Sequence, residues 1–254
     1  MKTIAFINQK GGTGKTISAA TFGRILAKDY GRRVLLSDTD PSWNLTQYMG
    51  MAPDASGMEH LLRFGYRSWA RYIKPTEEAG IDMIPGSTGL GDADIHSDRF
   101  CSTALVDHTL ALEEEDAYDF QLIDCHPYLG VLSMAALMAA DEVIIPVNLE
   151  SFSLSGMAEL TMQISRLREM NHEIRIAGVL PTRYMRTKEE QENHEMLLRD
   201  APFPVFETRI RASGPVITSV GQQKSLLEVS RNCGAAVDYR AAVAEYLKGV
   251  GVQL

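Results

Sequence analysis

The 254-residue sequence has only three cysteines, Cys101, Cys125 and Cys233, and none stands in a C-x-x-C pair. That excludes a disulfide framework and fits a reducing compartment. No apolar run approaches the ~20 residues that a membrane span needs. The start carries no leader pattern: Met1-Lys2 runs straight into an apolar stretch, so a signal peptide is not expected. Basic charge is also in deficit, with 25 Lys and Arg against 33 Asp and Glu, a formal net charge of −8. A uniformly basic nucleic-acid binder is therefore excluded, and any DNA contact has to come from a local patch. Internal repeats, low-complexity tracts and a convincing linker are missing as well. Hydrophobic residues at 45% and charged residues at 23% are ordinary globular values. The chain is long enough for one substantial core, and a single domain over 1–254 is expected.

What is present is concentrated first at Phe6-Ile7-Asn8-Gln9-Lys10-Gly11-Gly12-Thr13-Gly14-Lys15-Thr16. Thr3 to Ile7 is an apolar run of strand length, and Ile17 to Lys28 has helical spacing. Strand, glycine-rich turn, Lys-Thr and helix is the arrangement that cradles phosphates. Gly11, Gly12 and Gly14 let the backbone curl so that the N–H groups around Thr13 converge on one anion. The positive end of the following helix adds to that field. Lys15 is expected against the β- and γ-phosphates of ATP, and the Thr16 hydroxyl on Mg²⁺.

Two further segments carry acids at strand ends. Arg33 to Ser37 is apolar and feeds Asp38-Thr39-Asp40-Pro41-Ser42-Trp43-Asn44-Leu45-Thr46. Asp38 and Asp40 are well placed for Mg²⁺ and water. Asp119 to Asp124 is a strand ending in a carboxylate, the Walker B pattern for holding Mg²⁺ through water, and Cys125-His126-Pro127 follows. Further strands are expected at 81–84, 142–147, 174–180 and 205–210. Helices are expected at 104–112, 153–170 and 235–247, with two short ones between 51 and 80. Strands alternating with helices predict an α/β fold, a mainly parallel β-sheet flanked by helices on both faces, with ligands at the carboxyl ends of the strands.

The form Lys10-Gly11-Gly12-x-Gly14-Lys15-Thr16 is narrower than the general phosphate-loop motif. It puts Gln9 where the first glycine falls and adds Lys10. It resembles the deviant Walker A loop of the ParA/MinD family, which includes the nitrogenase iron protein and the arsenite pump ATPase. The resemblance runs from Lys2 to about Lys248. It is tight at the phosphate and metal motifs and looser elsewhere. It implies a P-loop NTPase fold of the deviant Walker A type, with ATP and Mg²⁺ as cofactors. It also implies a homodimer formed face to face around two ATP molecules, with Lys10 reaching the partner's nucleotide. By the same resemblance Asp40 orients the attacking water, Asp38 supports the metal through water, and Pro181 and Thr182 border the adenine. Glu150 and Gly156 match a segment near the partner's nucleotide. The departures are Ser42 for a glutamine, Trp43 for a small residue and His126 for a proline.

The resemblance further implies a slow, partner-stimulated ATPase of ParA/Soj type. Such a protein binds DNA nonspecifically and drives plasmid, chromosome or conjugative-element partitioning with a ParB-like centromere-binding protein. It is cytoplasmic, and nucleoid-associated in the ATP state. Candidate DNA contacts are Arg183, Arg186, Arg209, Arg211, Lys224 and Arg231, with Lys188 beside them, interrupted by Glu189, Glu190, Glu192 and Glu195. The alternative is a MinD-like or other positioning ATPase on a protein or membrane surface. Membrane attachment needs a basic amphipathic C-terminal helix. The end, Tyr246-Leu247-Lys248-Gly249-Val250-Gly251-Val252-Gln253-Leu254, has one lysine and two glycines and makes a poor anchor, so no membrane partner is expected. The three cysteines do not reproduce the cluster ligands of an iron–sulfur reductase.

Overall fold

The computed structural model describes residues 1–93, 96, 100–150 and 154–249. Ser153 and the expected tail 250–254 lie outside the described residues, as do the side chains of Leu154, Met157 and Leu160. In chain order the elements are β1 (Lys2–Phe6), α1 (Lys15–Tyr30), β2 (Val34–Asp38), α2 (Asn44–Tyr48), α3 (Met58–Phe64), β3 (Lys74–Pro75), β4 (Ile81–Ile84), α4 (Ala104–Glu114) and β5 (Phe120–Asp124). Then come α5 (Val131–Ala139), β6 (Glu142–Asn148), α6 (Leu154–Met170), β7 (Arg175–Thr182), α7 (Lys188–Asp200), α8 (Gly214–Gln222), α9 (Leu226–Val229) and α10 (Gly234–Gly249). Short 3₁₀ turns occupy Trp69–Tyr72 and Thr88–Asp92.

The sheet order is β3-β4-β2-β5-β1-β6-β7. All pairings are parallel except β3 with β4 at the edge. Strand residues alternate between two cores, because successive side chains point to opposite faces. Ala5, Ile7, Leu35 and Ile123 pack with α3, α4, α5 and α6 on one face. Ile4, Phe6, Val34, Leu36 and Leu122 pack with α1, α2 and α10 on the other. There Phe22 of α1 meets Phe6 and Tyr239 edge to face, at 5.4 and 6.3 Å between ring centroids. Both faces of the central strands are dry, which is why those strands read as continuous apolar runs.

The expected strand at 205–210 does not form. Val205 and Arg211 make only isolated bridges, to Val179 and Tyr184. The cause is a diversion of backbone donors: the N–H groups of Glu207 and Thr208 donate to the Glu245 carboxylate of α10, at 2.7 and 3.0 Å. The seventh strand is instead the two-residue β3. The acids that seemed to interrupt the basic stretch belong to α7. Glu190 closes a capping box with Thr187, satisfying donors that the helix start leaves open.

Candidate functional site

The carboxyl ends of β1, β2 and β5 bring the motif residues together. Parallel pairing sets Asp38 directly across from Asp124, and Asp124 across from Phe6, where the phosphate loop begins. The loop is a tight curl. Gly12 and Gly14 take φ of +72° and +87°, a left-handed conformation that glycine adopts at no steric cost. Asn8 ties the loop to the sheet: its Nδ2 donates to the Pro146 carbonyl at 2.7 Å and its Oδ1 accepts from the Lys10 N–H at 2.9 Å. On the far side the Thr182 hydroxyl lies 2.7 Å from the Thr13 carbonyl and 3.0 Å from that of Val147. Thr182, expected near the adenine, thus also clamps the loop to β6 and β7. Pro181 beside it accepts the Ile210 N–H at 2.8 Å.

Lys15 is buried at the start of α1, and Gly11 is exposed. The Thr16 hydroxyl donates to Asp124 Oδ2 at 2.6 Å. Asp124 Oδ1 is buried and has no hydrogen-bond partner among the described residues. Burial, and then repulsion from Asp38, push the Asp124 carboxyl well above the usual range. Burial likewise raises Asp38 to about 6, against hydrogen bonds from Thr46 and the Asp40 N–H that favour its charge. A buried acceptor without a donor, inside a cluster of carboxylates that repel one another, is a deficit of positive charge. The residues therefore fit Mg²⁺: Thr16 offers a hydroxyl, and Asp124 a carboxylate behind it.

Asp40 behaves differently. Burial alone would raise its pKa, but hydrogen bonds from His126 and the Ser42 N–H outweigh it and hold the carboxyl below its ordinary value. Its Oδ1 lies 3.4 Å from His126 Nδ1 and 2.8 Å from the Ser42 nitrogen. An ionised carboxylate fits a group that orients water. His126, where a proline was expected, tilts against the exposed Tyr128 ring at 5.1 Å. Cys125 is buried and its thiol is pushed up, first by burial and then by Asp124, which makes it inert.

Thr46 is a site residue that motif reading did not single out. Its N–H and hydroxyl both donate to Asp38 Oδ2, at 2.8 and 2.7 Å, and its hydroxyl accepts the Gly86 N–H at 2.9 Å. The only sequence signal was its fixed place at the end of the Asp38-to-Thr46 segment. Trp43 adopts φ +44° just before α2, an unusual conformation for so large a side chain.

Lys10 projects from the loop and pairs with Glu159 of α6 at 3.0 Å, both side chains largely exposed. It borders a cavity of about 370 Å³ lined by the outer side of the loop, Asn148, Gln163 and Arg183. Glu150 is exposed nearby, its N–H on Asn148 Oδ1 at 3.0 Å, and Gly156 lies in the first turns of α6.

The expected basic stripe divides. Arg183 and Arg186 stand exposed after β7, with Arg183 Nη1 3.5 Å from the Gly12 carbonyl. Arg209 lies over the Tyr184 ring at 4.7 Å. Lys224 and Arg231 are exposed around α9, beside α1. Arg211 is paired within the fold. Its guanidinium is held bidentately by Asp238 at 2.6 and 2.7 Å and also donates to the Gly234 carbonyl, so its charge is spent inside the fold.

Comparison with known proteins agrees with this geometry. A family model described as an AAA domain matches residues 1–176. The chromosome-partitioning ATPase Soj of Treponema pallidum is 32% identical over 246 residues, covering 96% of each chain. The chromosome partitioning protein ParA of Caulobacter vibrioides is 35% identical over 190 residues, 73% of this chain and 71% of its own. Among solved structures, cobyrinic acid a,c-diamide synthase of Mycobacterium smegmatis with bound ADP and magnesium aligns with a TM-score of 0.79 at 28% identity. That alignment covers 98% of this chain and 95% of the other.

Proposed function

This chain belongs to the ParA/MinD-type family of P-loop ATPases, and we propose that it is a Mg²⁺-dependent partition ATPase of the ParA/Soj kind. ATP would supply the phosphoryl group, and a bound Mg²⁺ would supply charge neutralisation on its oxygens. The loop amides from Gly11 to Gly14 and Lys15 bind the phosphates. Thr16 would bind the metal, with Asp38 and Asp124 behind it through water. Asp40, ionised by its His126 and Ser42 contacts, orients the water. Catalysis of this type is positioning and charge stabilisation. Lys10 completes the site of a second copy, so ATP closes a homodimer and hydrolysis releases it. The dimer binds DNA without sequence preference through Arg183, Arg186, Arg209, Lys224 and Arg231, and a ParB-like protein stimulates slow turnover. In the cell it works in the cytoplasm, on the nucleoid in the ATP state. No helix among the described residues is long and apolar enough to cross a membrane.

The observation that carries this reading is the unpartnered Asp124 Oδ1 beside the Thr16 hydroxyl at the mouth of the loop. The test is sedimentation of the protein with unrelated duplexes in ATP, ADP or no nucleotide, with Mg²⁺ or EDTA. Binding should need ATP and Mg²⁺ together and fall steeply with salt, since each phosphate contact contributes roughly one unit to the salt slope. An Asp40→Ala protein that fails to bind duplex even at low salt would refute the DNA track.

A further inference from the structure

The stretch 57–75 is unlike the rest of the chain. It holds four cations, Arg63, Arg67, Arg71 and Lys74, against one acid, Glu59, in a protein of net charge −8. It also holds Phe64, Tyr66, Trp69 and Tyr72. The fold uses some of these to brace the segment. Tyr72 is buried and its hydroxyl donates to the Gly65 carbonyl at 2.8 Å. His108 of α4 lies 2.7 Å from the Trp69 carbonyl and packs edge to face with Tyr66 and Tyr72, at 6.1 and 5.8 Å. Arg63 is spent on Glu59 and Asp92, and Lys74 on Asp54.

What remains faces outward. Phe64 is 59% exposed, with its ring held against His60 at 5.1 Å and 82°. Arg67 and Arg71 are exposed and make no ion pair among the described residues. Together His60, Phe64, Arg67, Arg71 and Tyr72 line a groove of about 380 Å³. This surface lies on α3 and the 3₁₀ turn at Trp69–Tyr72, apart from the phosphate loop.

The geometry points to a binding site for single-stranded nucleic acid on this surface. The unneutralised arginines call for an anion. The braced, exposed aromatic face calls for a planar partner, and a strand with unpaired bases supplies both in repeat. A duplex hides its base faces. A lipid surface would need aliphatic area that is absent here, because Met58, Leu61 and Leu62 are all buried. The site is independent of ATP and of the duplex contacts proposed above.

The experiment is fluorescence anisotropy of labelled dT15, and of a 15-base-pair duplex, with the nucleotide-free protein at 50 and 200 mM NaCl. Wild type should bind dT15 more tightly than duplex and lose affinity with salt. Phe64→Ala should weaken dT15 about tenfold, the scale of one lost base stack, and Phe64→Trp should restore it. Arg67→Glu with Arg71→Glu should flatten the salt dependence by more than one unit in slope, at about 0.7 per single-strand phosphate contact. Circular dichroism melts and basal ATP turnover should match wild type in each variant. No dT15 binding at 50 mM NaCl, or wild-type affinity in these variants, overturns the proposal. Patch-dependent binding to anionic vesicles or polyglutamate in place of dT15 overturns it too. Loss of ATP-dependent duplex binding with dT15 binding intact leaves this site standing and removes only the partition reading.

Discussion

Replacing Asp124 with asparagine should stabilise the nucleotide-free protein while removing its response to Mg²⁺. Asp38 and Asp124 are a cross-strand pair on β2 and β5, and both are buried. In the unfolded chain an aspartate ionises near 3.8, whereas in the fold Asp38 keeps its proton to about 6, chiefly because burial penalises the charge. Asp124 is pushed well up by burial and then by Asp38. Across that interval the fold binds more protons than the unfolded chain. Its stability therefore falls as pH rises from about 4 through the folded values. At 1.36 kcal/mol per pH unit, the span from 3.8 to about 6 amounts to roughly 3 kcal/mol for Asp38. Asp124 is equally buried and carries the added repulsion from Asp38, so its ionisation also opposes folding.

Asparagine keeps the size and still accepts the Thr16 hydroxyl, but carries no charge. Urea unfolding of both proteins at pH 4 and pH 8 reads the effect of the pair, because titrating groups remote from Asp38 and Asp124 cancel in the difference. The variant should be more stable than wild type at pH 8 and nearly equal to it at pH 4. Added ATP with Mg²⁺ should raise the wild-type midpoint and leave the variant's where it is. A variant less stable at pH 8, or a gap that ignores pH, would refute the claim that the pair stores uncompensated charge.

Three other substitutions separate the roles around the loop. Lys10→Ala should retain nucleotide binding and lose the ATP dimer, while Lys15→Ala should lose nucleotide binding itself; an unaltered dimer of Lys10→Ala in light scattering defeats the trans role. Asp40→Ala should bind ATP and dimerise yet hydrolyse it about 10² slower or worse, the usual worth of a positioned general-base group, so normal turnover in a phosphate-release assay would remove Asp40 from the mechanism. Thr182→Val deletes the hydroxyl that clamps Thr13 to Val147; losing roughly 1–1.5 kcal/mol of loop preorganisation should weaken ATP about five- to tenfold in equilibrium titration, with thermal stability changed little.

The central sheet was legible because its strands are covered on both faces. Ile81–Ile84 stands where its apolar run predicts, and the strands that end in Asp38 and Asp124 are displaced by a residue at most. Where chemistry sits in consecutive residues, as from Lys10 to Thr16, spacing alone carried the geometry. Pattern failed where long-range partners decide. Val205 to Ile210 has strand composition, yet two of its backbone donors, from Glu207 and Thr208, go to Glu245, 38 and 37 residues away in sequence. Thr46 and Thr182 became site residues only through contacts across the fold: Thr46 with Asp38 and Gly86, and Thr182 with Thr13, 169 residues away.

Charge was the least legible property, because a side chain's sign is written in the sequence and its partner is not. Arg211 counts as a basic residue in any tally, but Asp238 of α10 claims it at 2.6 Å. Arg67 and Arg71 lie in a stretch that periodicity leaves weakly patterned, and among the described residues no acid pairs with them. The reason lies in packing. α3 spends Met58, Leu61 and Leu62 on the core, which turns Phe64 and the following loop outward. Residues that look irregular against a helical template are then the ones left free to meet a partner. In this acidic chain, the positive surface that survives internal pairing is therefore more informative about an anionic partner than the number of lysines and arginines.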